Sequence, residues 1–108
     1  MNVMRSSDQL VDPVTLEIVR NLLIAILDEG EINLSRTAFS PIIYEVKDYS
    51  IGLLDRAGQT IAQSRGGIPT FMADLGEPVR DGIEIYGLDG IDPGDVLLIN
   101  YSAVCGQH

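Results

Sequence analysis

One long apolar stretch near the N-terminus limits what this chain can fold into more than any other feature. It opens at Asp12-Pro13, a strong helix start, because aspartate accepts hydrogen bonds from first-turn amides and proline fits the first helical position. The apolar residues that follow are Leu16, Ile18, Val19, Leu22, Leu23, Ala25, Ile26 and Leu27. They include helical spacing but cover well over half of the circumference. We therefore predict a helix from residue 13 to about residue 35 or 36, loosened at Gly30, that needs cover on more than one side.

The residue pattern in the middle of the chain predicts β structure. Residues 50–54 and 59–63 flank Asp55-Arg56-Ala57-Gly58, where the first aspartate and fourth glycine suit a type I turn, so we expect a hairpin. Residues 44–49 alternate charged groups with apolar and aromatic ones, which is typical of an edge strand. The proline at position 41 ends the helical pattern before it. The two glycines at 66 and 67 are predicted to form a flexible connector.

The apolar spacing in the last third of the chain predicts a second helix and a strand. Residues 72–86 have an apolar stripe at helical spacing, but Pro78 favours a later start near Glu77. A turn at 92–95 precedes Val-Leu-Leu-Ile at 96–99, which predicts a short buried strand. The predicted fold class is α+β: a long N-terminal helix, a β-hairpin, a second shorter helix and a short buried strand. We expect residues 12–108 to be part of a larger domain and residues 1–11 to be a disordered or extended N-terminus.

Charge and composition exclude several classes of partner. The chain has 108 residues, 7 basic and 16 acidic, for a net charge of −9. This balance argues against nucleic acid or an anionic membrane as partner, since both require clustered Lys and Arg. No apolar run approaches the roughly 20 residues of a membrane span, and the first dozen residues do not resemble a secretory signal. A single cysteine fits a reducing compartment, so we expect a cytoplasmic protein.

Two residues near the end of the sequence carry the most reactive side chains. Cys105 and His108 have C-x-x-H spacing, which permits shared metal ligation or a nucleophile–base pair. A self-contained structural zinc site is excluded because it needs four protein ligands. The commoner roles are a buried small hydrophobe for the cysteine and a solvated imidazole for the histidine. The glycines at 66–67 are followed by no phosphate-loop or dinucleotide fingerprint, so the residues alone form no complete catalytic constellation.

Five short segments are weak signals alone but specific as an ordered set. They are DPVTLEIVRN at 12–21, SRTAFSP at 35–41, DYS at 48–50, LDRAGQTIAQ at 54–63, and PGDV at 93–96 followed by Asn100. Together they resemble the opening helix, the R-T-A-F-S-P, D-F-S and L-F-D-x-x-G-x-x-x-A-Q segments and the P-G-D-V-x-x-x-N strand of the hydantoinase B/oxoprolinase family. The resemblance spans about residues 12–108 and covers the first portion of a B-type subunit, which is several hundred residues long.

The resemblance implies a function and its cofactors. It implies part of the B-type subunit of an ATP-dependent hydrolase that opens cyclic amides (hydantoin, 5-oxoproline or a lactam), in a hetero-oligomer with an A-type subunit that binds the ATP. His108 falls on the histidine of the family's H-x-x-D metal motif. It is thus implied to ligate a divalent metal, zinc or manganese, at a site completed beyond residue 108. The alternatives are a ketone carboxylase subunit of the acetone or acetophenone type, and a non-catalytic acidic assembly domain.

The sequence departs from the family pattern in three places. The usual N-D-P-Y after the strand is Asn100-Tyr101-Ser102-Ala103 here, so no role of that aspartate carries over. No histidine occupies the P-x-H-x-G-S-M-like segment, so substrate choice is expected to differ from that of hydantoin-opening members. Cys105-Gly106-Gln107-His108 stands where the family has G-G-T-H. The family-motif positions whose role stays unassigned are Arg36, Thr37, Ser40, Asp48 and Asn100. The isolated chain is expected to be inactive.

Overall fold

The computed structural model describes residues 11–68, 71 and 75–104, and it confirms the predicted α+β class. The elements are α1 (Pro13–Thr37), α2 (Pro41–Tyr44), β1 (Gly52–Leu54), β2 (Thr60–Gln63) and α3 (Gly76–Tyr86), followed by one 3₁₀ turn at Leu88–Gly90. Residues 1–10 of the predicted N-terminal segment lie outside the described residues.

Helix α1 begins where the sequence predicts. The Thr15 amide donates to Asp12 Oδ2 at 3.1 Å, so the aspartate caps the first turn. The helix passes Gly30 without a break and ends at Thr37, one residue beyond the predicted limit. There Ala38 takes an extended conformation, which stops the helical hydrogen bonding.

The predicted hairpin is confirmed, with shorter strands than expected. Strands β1 and β2 pair antiparallel, with Leu53 opposite Ala62 and a register irregularity between Leu53 and Leu54. In the turn, the Gly58 amide donates to the Asp55 carbonyl at 3.0 Å, the bond between first and fourth residues that the predicted turn requires. Asp55 Oδ1 also accepts from two backbone amides of the turn, at 2.9 and 2.8 Å. The local sequence thus closes this hairpin largely by itself.

Helix α3 confirms the later start. It begins at Gly76, which places Pro78 in the first turn. The first four amides of a helix have no partner within it, so a proline there removes no hydrogen bond. Ile83 and Tyr86 follow at helical spacing on the C-terminal half.

The predicted buried strand at 96–99 is wrong. These residues form no strand, and Val96 and Leu98 are 87% and 98% exposed. The described residues contain one two-stranded sheet, β1 with β2, so they offer no neighbouring strand to pair with the segment. Its apolar sequence fits burial, but the described elements cover it only in part, on the side of α3.

The predicted edge strand at 44–49 is also wrong. Pro41 starts the short helix α2 instead of only ending α1, since proline fits a first helical position. Lys47 then takes a left-handed conformation, with φ 58°, which interrupts a regular extended strand. The alternating pattern therefore reflects a helix and a tight turn.

The core of the described residues is small. Its buried apolar side chains are Leu27, Tyr49 and Ala62, which lie where the C-terminal half of α1 meets the hairpin. The N-terminal half of α1 exposes most of its apolar residues, including Leu16, Ile18 and Leu22. The described part of α1 is therefore covered on one side only, near its end. Within the described residues, no helix is long and apolar enough to cross a membrane.

Candidate functional site

The loop at 64–67, directly after the hairpin, is fixed to helix α1 by charged side chains. The Arg65 amide donates to Asp28 Oδ1 at 2.9 Å. The Arg65 guanidinium donates twice to Asp28 Oδ2, from Nε at 2.8 Å and from Nη2 at 2.6 Å. One carboxylate on α1 thus holds both the backbone and the side chain of a residue 37 positions away.

A second α1 carboxylate holds the next residue of the loop. Glu31 lies one helical turn after Asp28, and its side chain is 8% exposed. Its Oε2 accepts from the Gly66 amide at 3.0 Å, and its Oε1 lies 3.8 Å from Lys47 Nζ. A Cβ at position 66 would overlap this carboxylate, so only glycine allows so close an approach.

A buried tyrosine completes the attachment. The Tyr49 hydroxyl lies 2.6 Å from Ser35 Oγ and donates to the Glu31 carbonyl at 3.5 Å. The Tyr49 carbonyl accepts from the Ile68 amide at 3.2 Å, at the far end of the loop. We call Asp28, Glu31, Tyr49, Arg65 and Gly66 the anchor cluster. The predicted flexible connector at 66–67 is therefore wrong, because both ends of this loop are fixed to other elements.

We expect the stability that the anchor cluster contributes to be lost in acid. The hydrogen bond from the Arg65 amide, followed by the bonds from its guanidinium, holds the pKa of Asp28 below its ordinary value. A lowered pKa in the folded state adds stability above the ordinary value of about 3.9, and that stability is lost as pH falls through the folded pKa. We expect Asp28→Asn to lower the unfolding free energy at neutral pH. The curves of unfolding free energy against pH for the variant and the unchanged chain should then converge in acid. Urea denaturation across the acid range measures this, and Arg65→Met should behave similarly. Parallel curves would contradict the assignment.

The family-motif positions fall in two regions. Arg36 and Thr37 are exposed in the last turn of α1, where the Thr37 hydroxyl donates to the Asn33 carbonyl at 2.8 Å. Ser40 precedes α2, and the half-buried Asp48 donates its amide to a carbonyl of α2. These four surround the end of α1 and helix α2. Asn100 is exposed in the segment after α3, so it belongs to a different part of the chain.

The predicted metal ligand cannot be placed. Cys105 and His108 lie outside the described residues. Within the ranges that the structure describes, no group of three or more His, Cys, Asp or Glu side chains could hold a metal ion. The acidic residues of the anchor cluster are instead occupied by the loop.

An apolar groove lies beside the turn of the hairpin. It has a volume of about 920 Å³ and runs between the hairpin turn, α3 and the segment 95–101. Leu75, Val79 and Ile83 line it on the α3 side. The apolar segment Val96-Leu97-Leu98-Ile99 also contributes to the lining. The sequence pattern does not indicate this groove, because it predicts that the segment 96–99, which lines the groove, is a buried strand.

Comparison with known proteins places nearly the whole chain in one family. Residues 12–108 match the family model described as Hydantoinase B/oxoprolinase. The chain is 33% identical over 98 residues to the caprolactamase subunit beta of Pseudomonas jessenii, which covers 91% of this chain and 16% of that protein. It is 28% identical over 100 residues to an uncharacterized protein of Methanocaldococcus jannaschii, covering 91% of this chain and 18% of that one. The chain thus spans less than a fifth of the length of these relatives. No solved structure matches it.

Proposed function

Because the chain belongs to the hydantoinase B/oxoprolinase family, we propose that it forms part of the B-type subunit of an ATP-dependent cyclic-amide hydrolase. The observation that carries the proposal is the continuous family match over residues 12–108. The relative named caprolactamase subunit beta supports a lactam as the ring that is opened. We further propose that residues 12–108 are the N-terminal portion of a hydantoinase B-like domain in that subunit.

The proposed complex contains an A-type subunit that binds ATP. The relative's name, a subunit beta, is consistent with an enzyme of more than one kind of chain.

The proposed metal role rests on His108 alone. A divalent metal, zinc or manganese, would polarise the ring carbonyl as a Lewis acid. The described residues do not supply the remaining ligands, so we derive no step through the metal. What these residues do is hold a loop: Asp28 and Glu31 fix residues 65 and 66 against α1 by hydrogen bonds.

A segment exchange tests the proposal. Residues 12–108 of this chain replace the matched segment of the Pseudomonas jessenii caprolactamase subunit beta, which is expressed with its companion subunit. We expect ATP-dependent opening of caprolactam within about tenfold of the natural enzyme, because altered supporting contacts cost no more than about 1.4 kcal/mol at the transition state.

Two controls accompany the exchange. A subunit that lacks the segment should be inactive, which shows that the segment is required. An exchanged subunit that folds and assembles but has no more activity than this deletion would contradict the proposed function.

A further inference from the structure

We draw no further inference here: the strongest candidate, the pocket between α1 and the loop at 64–67 that Arg20 and Arg65 line, carries nothing, because both arginines are largely exposed and already paired with carboxylates of α1, and nothing in the described residues shows what covers or fills it.

Discussion

Replacing Gly67 with alanine should destabilise the chain more than any other single glycine change in the loop or turns. Gly67 has φ +77°, a left-handed conformation that costs an alanine roughly 1–2 kcal/mol. An added Cβ would also overlap the carbonyl oxygen of Tyr49, which belongs to the backbone and cannot rotate away. We expect a loss of about 3–4 kcal/mol in unfolding free energy, in the upper tail for single substitutions. Urea denaturation followed by circular dichroism measures it.

Gly87 provides the matched control for this substitution. It has a similar positive φ, +72°, but nothing lies within 4 Å of a Cβ built there. Gly87→Ala should therefore cost only the conformational part, about 1–2 kcal/mol. The difference between the two variants isolates the overlap with Tyr49. Equal losses would show that the loop moves freely and that the anchor cluster does not fix it.

The elements that the sequence predicted correctly are those that local interactions determine. Asp12 and Pro13 define the start of α1 through contacts three residues apart, and Asp55 closes the hairpin turn within four residues. The start of α3 follows from one rule, that Pro78 belongs in a first turn. Each signal and its structural result lie in the same short stretch, so composition and spacing were sufficient.

The anchor cluster could not be predicted, because its partners are 35–37 residues apart. Asp28 and Glu31 share one face of α1 with the buried Leu27, and that was the available signal: two acids where the helix turns inward. Their partners include backbone amides of the loop, which carry no residue-specific signature, and the Arg65 guanidinium, which nothing in the sequence pairs with Asp28. The glycines at 66–67 therefore suggested flexibility, although the close approach of Glu31 and the conformation of residue 67 require them.

The strand predicted at 96–99 failed for a different reason. A pattern such as Val-Leu-Leu-Ile is typical of a segment buried on both faces. It does not show whether a neighbouring element is present to bury it. The described residues supply α3 on one face and nothing on the other. The same holds for the apolar N-terminal half of α1. Both features are consistent with the proposal that residues 12–108 are one portion of a larger domain.

Glu31→Ala should be the next most damaging change after the substitution of Gly67. Glu31 is nearly buried, and its carboxylate accepts from the Gly66 amide at 3.0 Å. Alanine would leave that half-buried amide without its partner, which costs about 2–3 kcal/mol. Glu29→Ala, on the exposed side of the same helix, should change stability by no more than about 0.5 kcal/mol. Chemical denaturation of both variants under identical conditions gives the comparison.

A conservative change separates the hydrogen bond of Glu31 from its charge. Glu31→Gln keeps an oxygen that accepts from Gly66 but removes the ion pair with Lys47, whose side chain is 55% exposed. An ion pair this accessible to water contributes at most about 1 kcal/mol, so the glutamine variant should retain most of the stability. A double-mutant cycle with Lys47→Met measures the ion pair directly. If Glu31→Gln is as damaging as Glu31→Ala and the cycle shows strong coupling to Lys47, the charge of Glu31 fixes the loop. If Glu31→Gln retains most of the stability, the hydrogen bond from the Gly66 amide fixes it, as the geometry indicates.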